Sequence, residues 1–217
     1  MDWGARHELN GIASLSQCMS EVRVCMAVKH MMNLPLNMHI HEQGLFFVRQ
    51  DHPFLLGTVF ASPSAPFAIA ASPDAMLVGD DGAKFLVEVK SAFPFKGPRD
   101  DGMWEWCPFK KAVGQNGVSE QQFVQCQVQM LATEVHHCFL VGCDVYGCSV
   151  FYIPFDPVWC ITMICIIGSI ASQQAEKPDQ IAGHKEFVEY TRERCGALQA
   201  LRTIKSEKGA DVTCFSN

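Results

Sequence analysis

The chain has 217 residues, a formal net charge of −6, and 48% hydrophobic against 18% charged residues. At roughly 100–200 residues per domain this is one domain, and so apolar a composition excludes wholesale disorder. A pI of about 5.7 excludes a coating protein that holds nucleic acid by bulk positive charge, leaving local basic patches or metal ions to manage any phosphate backbone.

The eleven cysteines are an odd number, and Met1 to Glu8 has no charged-then-apolar leader pattern. The thiols are therefore expected to be reduced, in an intracellular compartment, cytoplasmic or nuclear. The longest apolar run, Val158 to Ala171, falls short of the ~18–20 residues of a membrane span and suits a buried helix, so no membrane partner is expected.

Residues 5–32 carry apolar positions at three-four spacing and are expected to form a helix that Pro35 ends. His39 to Glu42 alternates like a surface strand. The runs 45–49, 54–60, 67–71, 76–78 and 85–90 are β-prone and separated by Gly, Pro, Ser and Asp, the pattern of an antiparallel meander. Residues 91–118, with many Gly and Pro and with Trp104 and Trp106, make a connection long enough to be functional or mobile. Ser119 can cap a helix to Glu134, with Gln122 completing a capping box. Strands are expected over 138–144 and 149–155, and helices over 157–172 and 184–204. The fold class is α/β (α+β), a central mixed β-sheet flanked by helices, in a single domain over 1–217 whose last part, 157–206, is helical.

The chemistry is concentrated in Ser72-Pro73-Asp74 and the run Phe85 to Lys90. Strand alternation puts Phe85, Val87 and Val89 on one face and Leu86, Glu88 and Lys90 on the other. A hairpin centred on Asp81 sets positions whose numbers sum to 162 opposite one another, so Asp74 faces Glu88. Facing like charges repel. A divalent cation offsets that repulsion, with Lys90 on the same face, and two carboxylates beside a lysine are the layout of metal-dependent phosphodiester hydrolysis. The same residues also suit a solvated surface hairpin.

Ser72-Pro73-Asp74 with Glu88-Val89-Lys90 resembles the split PD-(D/E)XK motif, and more narrowly that of the YqaJ-like viral recombinase nucleases, the lambda exonuclease family. Three further segments resemble the family in order: Trp3-Gly4 through Glu8, Gln125 to Thr133 as Gln-x-Gln-x-x-Met-x-x-Thr, and the strand 138–144. The resemblance covers about residues 3–156 and implies a restriction-endonuclease-like core. It implies that Asp74, Glu88 and the backbone carbonyl of Val89 hold one or two Mg²⁺ or Mn²⁺ ions, that Glu8 supports a metal, that Lys90 is the catalytic lysine, and that Gln125 reaches the site from its helix.

The implied reaction is hydrolysis of DNA, 5′-to-3′ from a double-stranded end, in recombination or repair. The implied partners are DNA, a single-strand annealing protein and further copies of the chain in a homo-oligomer. Where the family has Gly after the Asp this chain has Ala75, and Ser91-Ala92 stand where Cys-Pro is common. The family's upstream basic segment, which helps hold DNA and its 5′ phosphate, is expected to be missing. The alternative is therefore a catalytically inactive module of the same fold that binds DNA or a recombination protein.

Lys96, Arg99, Lys110 and Lys111 are candidate phosphate contacts and Trp104 a candidate base-stacking residue, although loop aromatics also anchor a loop to its own body. Gln121, Gln125 and Gln129 form one stripe of a helix, either a solvated polar face or a face packed on a polar site. Cys138, Cys143 and Cys148 lack the close Cys-x-x-Cys pairing of an iron–sulfur site and read as small apolar strand residues.

Overall fold

A computed structural model describes residues 38–62, 68–91, 95–98, 104–106, 117–144, 147–172 and 177–205. The expected helix over 5–32, with Glu8, lies outside the described residues, as do Arg99, Lys110 and Lys111.

The strands, in chain order, are β1 (Met38–Glu42), β2 (Phe46–Phe47), β3 (Ala70–Ala71), β4 (Ala75–Gly79), β5 (Lys84–Ser91), β6 (Phe95–Pro98), β7 (Trp104–Trp106), β8 (His137–Asp144), β9 (Gly147–Pro154) and β10 (Ala200–Lys205). The helices are α1 (Glu120–Thr133), α2 (Pro157–Ala171) and α3 (His184–Ala197). The main sheet has six strands in the order β1-β4-β5-β8-β9-β10, and β2-β3 and β6-β7 form two small ribbons. Within the main sheet β5 and β8 run parallel and the other neighbours antiparallel. The architecture is thus mixed α/β with a mixed sheet.

The β4–β5 hairpin turns through Gly79 to Gly82. Gly82 takes φ +83°, a region open to glycine at no steric cost, and the Ala83 amide donates to Asp81 Oδ1 at 2.9 Å. The observed pairs, Ala75 with Val87 and Met76 with Leu86, are those expected for a turn centred on Asp81. Ala75 sits buried in β4 at an ordinary backbone conformation.

A parallel pair requires a long crossover, here the β6-β7 ribbon followed by α1. Both bonds of the capping box at α1 are made: the Gln122 amide donates to Ser119 Oγ at 3.3 Å, and the Ser119 amide to Gln122 Oε1 at 2.9 Å. The buried side of α1, with Phe123, Cys126, Met130 and Leu131, packs into one core with Leu86, Cys138 and Leu140 of the sheet and Trp159, Cys160 and Ile164 of α2. On the other face Leu77, Phe85, Val87, Phe139 and Val141 are also buried, which accounts for the near-continuous apolar character of the central strands.

Helix α2 starts at Asp156, whose Oδ1 accepts from the Trp159 amide at 3.0 Å. Asp156 Oδ2 accepts from the Tyr190 hydroxyl at 2.8 Å and pairs with Arg194 Nε at 2.9 Å, which docks α3 onto α2. Among the described residues no helix is long and apolar enough to cross a membrane.

Two expected elements are corrected. Residues 54–60 form no strand: Pro53–Leu55 and Val59–Ala61 are short 3₁₀ turns. Pro53 presets the first, the His52 ring accepts from the Phe54 amide, and Gly57 at φ +78° breaks the extended run between them. The helix expected over 184–204 ends at Ala197, and Ala200–Lys205 pairs antiparallel with β9 instead, so the end of the chain within 157–206 is not all helix. Thr203 and Ile204 are β-branched, and an open strand edge offers the backbone bonds that a further helical turn would otherwise supply.

Candidate active site

The site lies where β4 begins, beside the C-terminal half of β5, under α1. The register that pairs Ala75 with Val87, carried back one residue, sets Asp74 against Glu88. The Val89 amide donates to Asp74 Oδ2 at 2.6 Å, holding the carboxylate across the strand. In an extended strand the carbonyl of a residue faces the same edge as its N–H. The Val89 carbonyl is therefore turned toward Asp74, past the point where β4 pairing begins.

Glu88 is 1% exposed, yet it is among the best-served polar groups described. Its Oε1 accepts from the Lys90 ammonium and from Gln125 Nε2 at 2.6 Å, and its Oε2 from Gln129 Nε2 at 2.5 Å. The same Gln129 nitrogen donates to the Ser72 carbonyl at 3.2 Å. Lys90 keeps 32% of its side chain exposed, so its charge lies at the mouth of the site and the glutamate at the bottom. Gln125 and Gln129 face the site because residues four apart share a helix face. Gln127 faces away, joining the Pro154 carbonyl and the Asp156 amide, each at 2.8 Å.

The electrostatics are those of two crowded acids. Burial pushes the Asp74 carboxyl above the usual carboxylate range, against the pull of the Val89 amide and Lys90. Glu88 is raised first by burial and then by the charge of Asp74, with Gln129 and Lys90 opposing. Among the described residues two carboxylates share one lysine, a negative excess that suits a hard divalent cation. Asp74 and Glu88 are close enough to share a hydrogen bond, so one ion can reach both carboxylates. Among the described residues no third His, Cys, Asp or Glu joins the pair.

Of the residues singled out in the sequence, Asp74, Glu88, Val89, Lys90 and Gln125 come together here. Gln129 joins them, and its four-residue spacing from Gln125 in the polar stripe is the sequence signal for its place here. Lys96 and Trp104 fall on the β6-β7 ribbon, where Lys96 stands opposite Glu105 and Trp104 opposite Pro98. His39 lies on β1 at the sheet edge and bonds Asp80 at 3.2 Å, in keeping with a surface strand. Cys126, Cys138, Cys160 and Cys195 are buried free thiols. Cys138 is raised well above the ordinary thiol range, first by its hydrogen bond with Cys126 and then by burial, so it is a packed thiol and not a nucleophile. No family model and no curated protein matches the chain.

Proposed function

We propose that the chain is a divalent-cation-dependent deoxyribonuclease of the YqaJ-like type, digesting one strand of a DNA duplex from its 5′ end in recombination or repair. The observation that carries this reading is the pairing of a buried, amide-clamped Glu88 with Asp74 on the facing strand and Lys90 on the same face. A surface hairpin has no use for a glutamate that is almost wholly buried and bonded to a helix 37 and 41 residues away, since burying a carboxylate is costly unless it is paired.

In this reading Asp74, Glu88 and the Val89 carbonyl hold Mg²⁺ or Mn²⁺, which when bound supplies Lewis acidity at the phosphate and lowers the pKa of bound water. Asp74 is fixed by the Val89 amide, so its carboxylate is oriented before any ligand arrives. Glu88 is held in one rotamer by Gln125 and Gln129. Lys90, partly exposed, turns its ammonium from Glu88 toward a phosphate oxygen and stabilises the charge that develops there. A preorganised floor with a charged rim accepts an anionic backbone without rearrangement of the carboxylates.

The test is cleavage of linear duplex labelled separately at each end, with and without Mg²⁺, beside Lys90→Ala. Metal-dependent release from one labelled end that vanishes in the variant supports the enzyme and gives its polarity. A well-folded protein that binds duplex and cleaves neither strand makes it a binding module.

A further inference from the structure

We propose that Gln129 is a positioning residue that sets the distance between the two carboxylate-bearing segments and so tunes their affinity for the cation. The inference rests on the metal-binding reading of Asp74 and Glu88. One nitrogen, Gln129 Nε2, bonds the Ser72 carbonyl, two residues before Asp74, and Glu88 Oε2, at 3.2 and 2.5 Å. The turn that carries one acid is thereby fastened to the side chain of the other through a single amide. Gln125 Nε2 takes the opposite Glu88 oxygen at 2.6 Å, so the plane of the carboxylate is set by two residues one helical turn apart.

The far side of the same amide gives independent support. Gln129 Oε1 is buried and has no donor among the described residues. Turning the amide over would give that oxygen no better partner, because it would then face two acceptors, the Ser72 carbonyl and Glu88. Its orientation is therefore dictated by the site, and an unpartnered buried acceptor, which is costly, is retained so that the donor stays on Glu88. A polar residue serving packing alone would be matched at both ends, as Gln127 is through the Pro154 carbonyl and the Asp156 amide.

The experiment compares full-length wild type with Gln129→Met, which keeps the volume and removes the donor. Mn²⁺ binding is read by the metal-induced shift in melting temperature and by the loss of free-ion EPR signal. Cleavage is read as a function of Mn²⁺. Expected is a ten- to hundred-fold rise in the Mn²⁺ needed for half-saturation, the usual effect of removing a group that orients a ligand. At saturating Mn²⁺ kcat returns near the wild-type value, and the metal-free melting behaviour remains cooperative.

Equal half-saturation in variant and wild type overturns the role of Gln129 alone. Failure of wild type to take up Mn²⁺ overturns the underlying reading. Should Gln129→Met not fold, the side-chain amide resonances of Gln129 in wild type decide. They are expected to shift and to gain protection from exchange as Mg²⁺ is added, and resonances that do not move overturn the proposal.

Discussion

Asp74 and Val89 are joined by a 2.6 Å bond from the backbone amide of one to the carboxylate of the other, across the open end of a hairpin. That bond favours a charged Asp74, as do Lys90 and a hydrogen bond with Glu88, whereas burial opposes it; the charge of Asp74 in turn opposes that of Glu88. The site thus holds two acids together at a cost to the metal-free protein. Asp74→Asn keeps an oxygen for the Val89 amide and removes the repulsion. It is expected to stabilise the metal-free protein by roughly 0.5–2 kcal/mol, the usual range of a single stabilising substitution. It is also expected to abolish stabilisation by Mn²⁺, since only ligands that bind the folded form raise the melting temperature. Urea unfolding with EDTA and with Mn²⁺ checks both halves.

The same two acids set a pH dependence. Each carboxyl is raised in the folded state relative to the unfolded chain, so in the window above the ordinary carboxylate value the folded protein binds more protons than the unfolded one. Stability therefore falls as pH rises through that window. The expected outcome is a metal-free melting temperature that declines on going from acid toward neutral pH, with a shallower decline in Asp74→Asn. Melting curves in EDTA across that range test the sign.

Lys90→Ala is expected to lower kcat by about 10²–10³ at saturating metal, the usual effect of removing one preorganised donor to a developing charge. Adding more Mn²⁺ should not restore it. Single-turnover cleavage at rising Mn²⁺ separates this outcome from that of Gln129→Met.

Asp156→Ala tests the support of the site rather than its chemistry. The residue caps α2 and receives Tyr190 and Arg194 of α3. Its loss is expected to cost about 2–3 kcal/mol, a helix cap of about 1 together with an ion pair whose arginine is partly exposed and so worth less than a fully buried one. Mn²⁺ half-saturation should stay unchanged while the urea midpoint falls.

The hairpin was legible because a two-residue period and a Gly-Asp-Asp-Gly turn leave little freedom of register, and Asp74 against Glu88 followed. The cap of α1 was equally legible, since Ser119 and Gln122 carry their bonding pattern in their spacing. The segment around Phe54 was not. Its apolar residues imitate a strand, and only Pro53 and Gly57 betray the 3₁₀ turns. Nor was β10, because its pairing is set by the free edge of β9, distant in sequence. The stripe of glutamines was visible, but whether it met solvent or a carboxylate depended on which face of α1 the crossover laid against β5. Gln121 is exposed and Gln129 buried, so both readings of that stripe hold, at its two ends.

The crossover also orders the assembly of the site in time. Asp74 and Val89 are 15 residues apart, whereas Glu88 meets Gln125 and Gln129 at separations of 37 and 41. Closing the longer loops costs more chain entropy and awaits the slower pairing of parallel strands. On contact separation alone the two acids are expected to meet first as a local hairpin, before α1 covers Glu88. Only the docking of α1 takes water from Glu88 and replaces it with amides, so the buried, amide-bonded state of Glu88 belongs to the completed fold and not to its first hairpin.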